Sequence, residues 1–252
     1  MHTPLATLET FTIAYTESDL IGKLIILSLI FLSIVCWVVL LFKIWQTKHV
    51  KRTSAAFQIA LEKNKEHLLS LDIEHLPRPL NKNIPNPFAE IFSVLKTKTL
   101  ETLNKKLFFL EKEMKENRRH EPLYLSLNDL ELVETHVLTT ISLQNKILEK
   151  HLFILSTIVT LAPFLGLLGT VWGILVTFSE LHAGGGSGSN SAILGGLSTA
   201  LSTTVLGLVI AIPALVSYNY LKNTLRNLSS DMEDFLFTLL STIELQYRKV
   251  DI

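Results

Sequence analysis

From Leu152 to Phe178 the chain carries no charged side chain. Wound as an α-helix at 1.5 Å per residue, that run is roughly 40 Å long, more than the hydrocarbon core of a bilayer requires. Its middle reads Pro163-Phe164-Leu165-Gly166-Leu167-Leu168-Gly169-Thr170-Val171-Trp172-Gly173. A second segment of the same kind runs Ser198-Thr199-Ala200-Leu201-Ser202-Thr203-Thr204-Val205-Leu206-Gly207 and on to Ala211-Ile212-Pro213-Ala214. Glycine and proline are poor choices for an isolated helix, and hydroxyls are poor choices facing lipid. Together they fit membrane helices packed on one another around something polar.

Composition agrees with a membrane protein, with 48% of residues hydrophobic and 18% charged. The charges avoid three stretches, Leu24 to Phe42, Leu152 to Phe178 and about Leu194 to Leu221, each long enough to span. The first does not read as a cleaved signal peptide. Glu9, Glu17 and Asp19 precede it in place of a basic region, and the apolar run is too long. The lone Cys36 lies inside this span and cannot form an intrachain disulfide. No basic, aromatic-interleaved patch appears outside the membrane flanks, so nucleic acid is not an expected partner.

Lysine and arginine set the orientation. One, Lys23, borders the start of the first span; eighteen lie between the first and second spans; none lies between the second and third; four follow the third. Those near span ends, Lys43 to Arg52, Lys146, Lys150, Lys222 and Arg226, all favour the same side. The expected topology has the N-terminus outside and the large loop and C-terminal tail inside. In a bacterium this means an inner-membrane protein with a periplasmic N-terminus and a cytoplasmic C-terminus.

The expected segments are a periplasmic N-terminus (1–19), a first span (20–43), a cytoplasmic helical loop (44–151), a second span (152–178), a periplasmic hairpin (179–193), a third span (194–221) and a cytoplasmic C-terminal helix (222–252). Helix formers dominate both sides of a proline cluster at Pro77, Pro79, Pro85 and Pro87. Phe88, Ile91, Phe92, Leu95, Leu103, Leu107, Leu110 and Met114 repeat at helical spacing, with a polar interruption around Lys96 to Thr99. Pro122 breaks the pattern. Helix resumes at Leu123, and Val133, Val137, Ile141 and Ile147 lead without a stop signal into the second span. The third span extends likewise through Leu221, Leu225, Leu228, Met232, Phe235 and Leu239. A striped helix cannot bury its apolar face alone, so these extensions should form a bundle.

Within the second span Gly166, Gly169, Thr170 and Gly173 share one side at spacings of three and four. On the third, Gly196, Ala200, Thr203, Thr204, Gly207, Ala211 and Ala214 do the same, with Pro213 counted on the packing side. Such small faces let membrane helices approach closely, and a short outer connection makes the pair antiparallel. Counted from Phe178, Thr170 lies roughly 12 Å deep; counted from Leu194, Thr204 lies roughly 15 Å deep, at about the same level. Ser198, Thr199, Ser202 and Thr203 add hydroxyls just above. Hydroxyls both donate and accept, so a row of them can line an ion path without the cost of a buried charge. The alternative is that each merely bonds a carbonyl in the preceding turn of its own helix. No Asp, Glu, Lys, Arg or His lies within any of the three cores, so a proton path here needs a carboxylate from a partner.

The runs Leu168-Gly169-Thr170-Val171-Trp172-Gly173 and Ala200 to Leu208, with Ala211-Ile212-Pro213-Ala214, resemble the two signature helices of the MotA/TolQ/ExbB proton-channel family. The similarity is strong over residues 154–220. It extends more loosely over the first span, where Leu20-Ile21-Gly22-Lys23-Leu24-Ile25 and Ser33-Ile34-Val35-Cys36-Trp37 are similar to TolQ, with ExbB next. The resemblance implies an all-α membrane protein with three transmembrane helices and long cytoplasmic extensions, assembling as a pentameric helical channel in the lipid bilayer. It also implies a TolR- or ExbD-like single-span partner whose membrane aspartate carries the proton, and a TolA- or TonB-like protein that takes up the work. The family's two pore threonines fall on Thr170 and Thr204, with Thr199, Ser202 and Thr203 beside them. Many relatives carry a glutamate near position 199, where this chain has Thr199.

The function expected is therefore a proton-motive-force-driven subunit of the Tol-Pal type. The alternatives are an ExbB-like subunit energising TonB-dependent transport and a non-conducting scaffold. A flagellar stator would have four membrane helices. An enzyme is not expected, since no nucleophile–base pair, metal cluster or phosphate loop can be assembled, and no catalytic residue, metal or cofactor is assigned. Gly184-Gly185-Gly186-Ser187-Gly188-Ser189 lacks the Gly-Lys-Ser/Thr that completes a phosphate loop and reads as a linker.

Overall fold

The computed structural model describes residues 12, 15–16, 18–63, 69, 71, 85–114, 124–183 and 189–247. Pro77, Pro79, Pro122, Leu123 and the glycines of 184–188 lie outside the described residues. Among the described residues the long regular elements are α-helices: α1 (Leu20–Glu62), α2 (Pro87–Met114), α3 (Leu127–Glu149), α4 (Leu152–Ala183) and α5 (Ser189–Tyr247). Three of them, α1, α4 and α5, contain stretches long and apolar enough to cross a membrane. The hairpin expected over 179–193 is largely helical, because α4 continues to Ala183 and α5 already begins at Ser189.

Two compact units divide the chain, one of Met1–Lys43 with His151–Lys222, the other of Ile44–Lys150 with Asn223–Ile252. Helices α1 and α5 contribute to both. In the first unit Leu29, Cys36 and Leu40 of α1, Leu155 and Ile158 of α4, and Ile210 and Leu221 of α5 are buried. Phe31, Phe164 and Val216 stay about two-thirds exposed, at 64%, 67% and 65%. In water each would forfeit roughly 1.5–3 kcal/mol of burial, and a hydrocarbon surrounding removes that cost.

The second unit is built from residues 44–62 of α1, all of α2 and α3, and residues 223–247 of α5. Helix α2 starts where Asn86 caps it and Pro87 supplies a preset first-turn φ, and Phe88, Ile91, Phe92 and Leu95 then turn inward. Phe92 meets Phe57 of α1 edge-on at 6.1 Å between ring centres, and Phe88 meets Phe235 of α5 at 5.1 Å. Val133, Val137 and Ile141 form the buried stripe of α3, and Leu228, Met232, Leu236 and Leu239 that of α5. Asn145 Nδ2 donates to Ser229 Oγ at 2.7 Å, and the Leu125 N–H donates to the Tyr247 carbonyl at 3.0 Å. The stripe expected on α2 ends early: Leu107 is exposed, as are Phe108 and Phe109.

Helix α3 does not run on into α4. Lys150 adopts ψ 134° and His151 a left-handed φ of 70°, ending one helix and starting the next. No glycine marks the place, and histidine is among the few residues that enter this region without large strain. Nothing in the hydrophobic period signals it, because the apolar positions keep helical spacing on both sides.

The start of α3 is held by a capping box. Ser126 Oγ accepts from the Asp129 N–H, the Asp129 carboxylate accepts from the Ser126 N–H at 2.8 Å, and Lys106 of α2 pairs with the same carboxylate. Burial alone would raise the Asp129 pKa, but the bonds from Lys106 and Ser126 outweigh it and hold the carboxyl below its ordinary range. A depressed pKa stabilises the folded state fully above the unfolded value, about 3.9, and that contribution fades as pH falls through the folded value. Asp129→Asn is expected to raise amide exchange across the first turn of α3 about fivefold at neutral pH, equivalent to about 1 kcal/mol. The difference from the parent should vanish under acid. Equal exchange at pH 7 would show that the box contributes nothing.

Candidate ion path between two small-residue helices

Helices α4 and α5 run antiparallel with their backbones nearly touching. A Cβ added at Gly173 would come within 2.8 Å of Ala200 Cβ and 3.3 Å of the Gly196 carbonyl oxygen. At Gly169 it would overlap the Thr203 side chain, and at Gly196 the Thr177 hydroxyl. At Gly166 it would lie 3.0 Å from Thr204 Cα, and at Gly207 2.6 Å from the Ala162 carbonyl oxygen. Five successive points of contact, from Thr177 down to Ala162 on α4 and from Gly196 to Gly207 on α5, thus leave no room for a side chain. Ala200, Ala211 and Ala214 are buried on the same side of α5. Pro213 is exposed, which corrects its place on the packing face. Six residues beyond Gly207 it is rotated about 240° around the helix, while Ala211 and Ala214 return to the Gly207 side.

The hydroxyls divide into two groups. Thr203, 2% exposed, donates to the Ala200 carbonyl of its own helix at 2.7 Å and lies 3.4 Å from the Gly166 carbonyl of α4. Thr199 is buried as well, at 7% exposure. Thr177 donates to the Gly173 carbonyl at 2.8 Å. These residues fill the seam. Thr170, Ser202 and Thr204 are half-buried and keep one side open. Thr170 Oγ1 donates to the Leu167 carbonyl at 2.7 Å, a bond within its own turn. Thr204 behaves differently, since its hydroxyl crosses to the Gly166 carbonyl of α4 at 3.0 Å. A hydroxyl that donates to a carbonyl keeps its two lone pairs, so Thr170 and Thr204 can each still accept from a protonated group or a water.

Thr170 and Thr204 are not level. Thr204 sits opposite Gly166, and Gly169 opposite Thr203, which puts Thr204 about one helical turn, roughly 5 Å, deeper than Thr170. Depths counted from Phe178 and Leu194 differ by only about 3 Å, and the contacts across the seam widen this to about one turn. The hydroxyls therefore form a staggered row along the seam.

Two contributors escaped the sequence reading. Thr177 lies one turn from Gly173 on the same face, and that i+4 spacing could have found it. Trp172 donates its indole Nε1–H to the Asp19 carboxylate at 2.8 Å, a contact between residues so far apart that no local pattern signals it. Among the described residues no group of three or more His, Cys, Asp and Glu side chains is placed to hold a metal ion.

The same segment carries the likeness to known proteins. A family model described as the MotA/TolQ/ExbB proton channel family matches residues 102–234, just over half of the 252-residue chain. A putative biopolymer transport protein ExbB-like 1 from Synechocystis sp. is 42% identical over 99 residues, 38% of this chain and 37% of that protein. Biopolymer transport protein ExbB from Aquifex aeolicus is 43% identical over 88 residues, covering 35% and 59% of the two chains, and ExbB from Helicobacter pylori is 50% identical over 74 residues, covering 29% and 50%. The matches therefore span between about a third and three-fifths of these relatives. With the small-residue seam of α4 and α5 inside the matched range, the chain belongs to the MotA/TolQ/ExbB proton channel family.

Proposed function

We propose that this chain is the multi-helix subunit of a proton-driven energising complex of a bacterial inner membrane. The observation that carries the reading is the α4–α5 seam, with Thr170 and Thr204 half-open beside glycine-tight packing and no Asp, Glu, Lys, Arg or His in any of the three span cores. Such a surface supplies hydroxyl partners to a proton carrier without itself holding the proton. The carrier is then a carboxylate on a separate, single-span protein of TolR or ExbD type. Several copies of this chain, five by family resemblance, surround it, and a TolA- or TonB-like protein receives the work. The N-terminus faces the periplasm and the α2–α3 bundle the cytoplasm, in keeping with the lysine and arginine asymmetry.

Two versions of the work fit. The first span resembles TolQ, which favours an envelope-maintaining role of Tol-Pal type. Similar proteins are named ExbB, biopolymer transport proteins, which favours a role in TonB-dependent uptake.

Co-purification tests the reading. The chain should bring down a single-span protein with a membrane aspartate, at several copies of this chain per complex by native mass measurement. In the same cells a reporter fused after Asn190 should read as periplasmic, and one fused after Asn104 as cytoplasmic. A monomer without partner, or a periplasmic signal from Asn104, would overturn it.

A further inference from the structure

The first helix opens with a bracket that the ion path does not use. Asp19 stands immediately before α1, and both of its carboxylate oxygens are engaged. Oδ1 accepts from the Gly22 N–H at 2.8 Å, as an N-cap aspartate does, while Oδ2 accepts from the Trp172 indole N–H at 2.8 Å. The Asp19 carbonyl accepts from the Lys23 N–H at 3.0 Å. A Cβ at Gly22 would come within 3.0 Å of Asp19 Oδ1 and 3.1 Å of Ser18 Cβ, so glycine leaves the cap uncrowded.

The far end of this bracket is on α4, beside the seam residues Gly169 and Gly173 in sequence. Trp172 lies on α4 between Gly169, which packs on Thr203, and Gly173, which packs on Ala200, and it is two residues from Thr170. A tryptophan at this depth needs an acceptor for its N–H, and a carboxylate makes a bond roughly twice as strong as a neutral acceptor would.

We propose that Asp19 is a positioning residue for the ion path: by holding the Trp172 indole it fixes the outer turns of α4, and Thr170 with them, against the start of α1. The proposal rests on the ion-path reading and adds to it a residue from the first span. Burial pushes the Asp19 carboxyl up, but the bonds from Trp172 and from the Gly22 and Ile21 backbone outweigh it, so the carboxyl titrates below its ordinary range. It therefore stays charged and serves as a fixed anchor. Protonation and release are not part of its work.

The test uses the complex purified with its partner and reconstituted into vesicles, with proton flux as the first readout. Asp19→Asn and Trp172→Phe should each lower flux about tenfold, the effect of losing one charged hydrogen bond that fixes geometry, with the oligomer intact. Because both remove the same charge-assisted bond, the double variant should be no worse than either single one. Asp19→Glu, which keeps the charge, should recover most of the flux. A second readout is the indole N–H resonance of Trp172, followed in a Trp37→Phe, Trp45→Phe background. It should shift in Asp19→Asn and return in Asp19→Glu.

Parental flux in Asp19→Asn, losses that multiply in the double variant, or loss of the oligomer in either single one would overturn the proposal. A Thr170→Val, Thr204→Val control separates it from the reading beneath it. Full flux in that control beside a defective Asp19→Asn would sink the hydroxyl path and leave the bracket. The reverse pattern would sink the bracket and leave the path.

Discussion

Gly207→Leu is expected to remove the assembled protein from the membrane. A single Cβ at this position would stand 2.6 Å from the Ala162 carbonyl oxygen and 3.3 Å from Gly166 Cα, and both are backbone atoms. A side chain could rotate away; a helix backbone can retreat only by opening the seam. Gly169→Leu meets the Thr203 side chain, itself wedged between the helices, and should act the same way. Overpacking a tight interface costs about 1–3 kcal/mol for an extra methylene or two, and a leucine on a glycine site exceeds that. Gly207→Ala should be defective but partly assembled. Blue-native electrophoresis of a mild-detergent extract reads the result. Parental amounts of oligomer in both leucine variants would show that the α4–α5 contact does not hold the protein together.

Thr204→Val should produce the opposite pattern, normal assembly with lost function. Valine reproduces the shape of threonine, and the bond it deletes runs from a half-buried hydroxyl to the Gly166 carbonyl, which lies within helix α4. The structural loss is about 0.5–1.5 kcal/mol. A protonated carboxyl or water crossing at this level would, however, lose this hydroxyl partner in a dry site. Thr170→Val should behave likewise, since its hydroxyl serves only the Leu167 carbonyl of its own turn. The expected phenotype of either is detergent sensitivity and leakage of periplasmic protein if the complex does Tol-type work, and failed uptake if it does ExbB-type work. A functional Thr170→Val, Thr204→Val double variant would favour the scaffold reading.

The parts of this architecture legible in the sequence are those fixed by short-range physics. Charge-free runs marked the three apolar helices, and glycine spacing marked the faces of α4 and α5, because both depend on residues a turn apart. The apolar period of α2 and α5 likewise pointed to inward residues such as Phe92 and Met232. What was not legible depends on where helices begin and end. The break at Lys150 and His151 carries neither glycine nor proline, so α3 and α4 read as one helix. Depths counted from Phe178 and Leu194 put Thr170 and Thr204 at about the same level, whereas the contacts across the seam set Thr204 about one turn lower. The link from Asp19 to Trp172 joins two helices distant in sequence, and only the fold brings them together.

The central claim is that this chain provides the hydroxyl wall of a proton path and a partner provides the titrating carboxylate. Proton uptake by vesicles under an imposed pH gradient tests it directly, comparing this chain alone, the chain with its co-purified partner, and the same complex with the partner's membrane aspartate changed to asparagine. The expected result is tight vesicles with the chain alone, conduction with the complex, and tight vesicles again with the asparagine partner. Equal conduction by the chain alone would contradict the claim, since its span cores would then be carrying protons without a carboxylate or histidine from the partner.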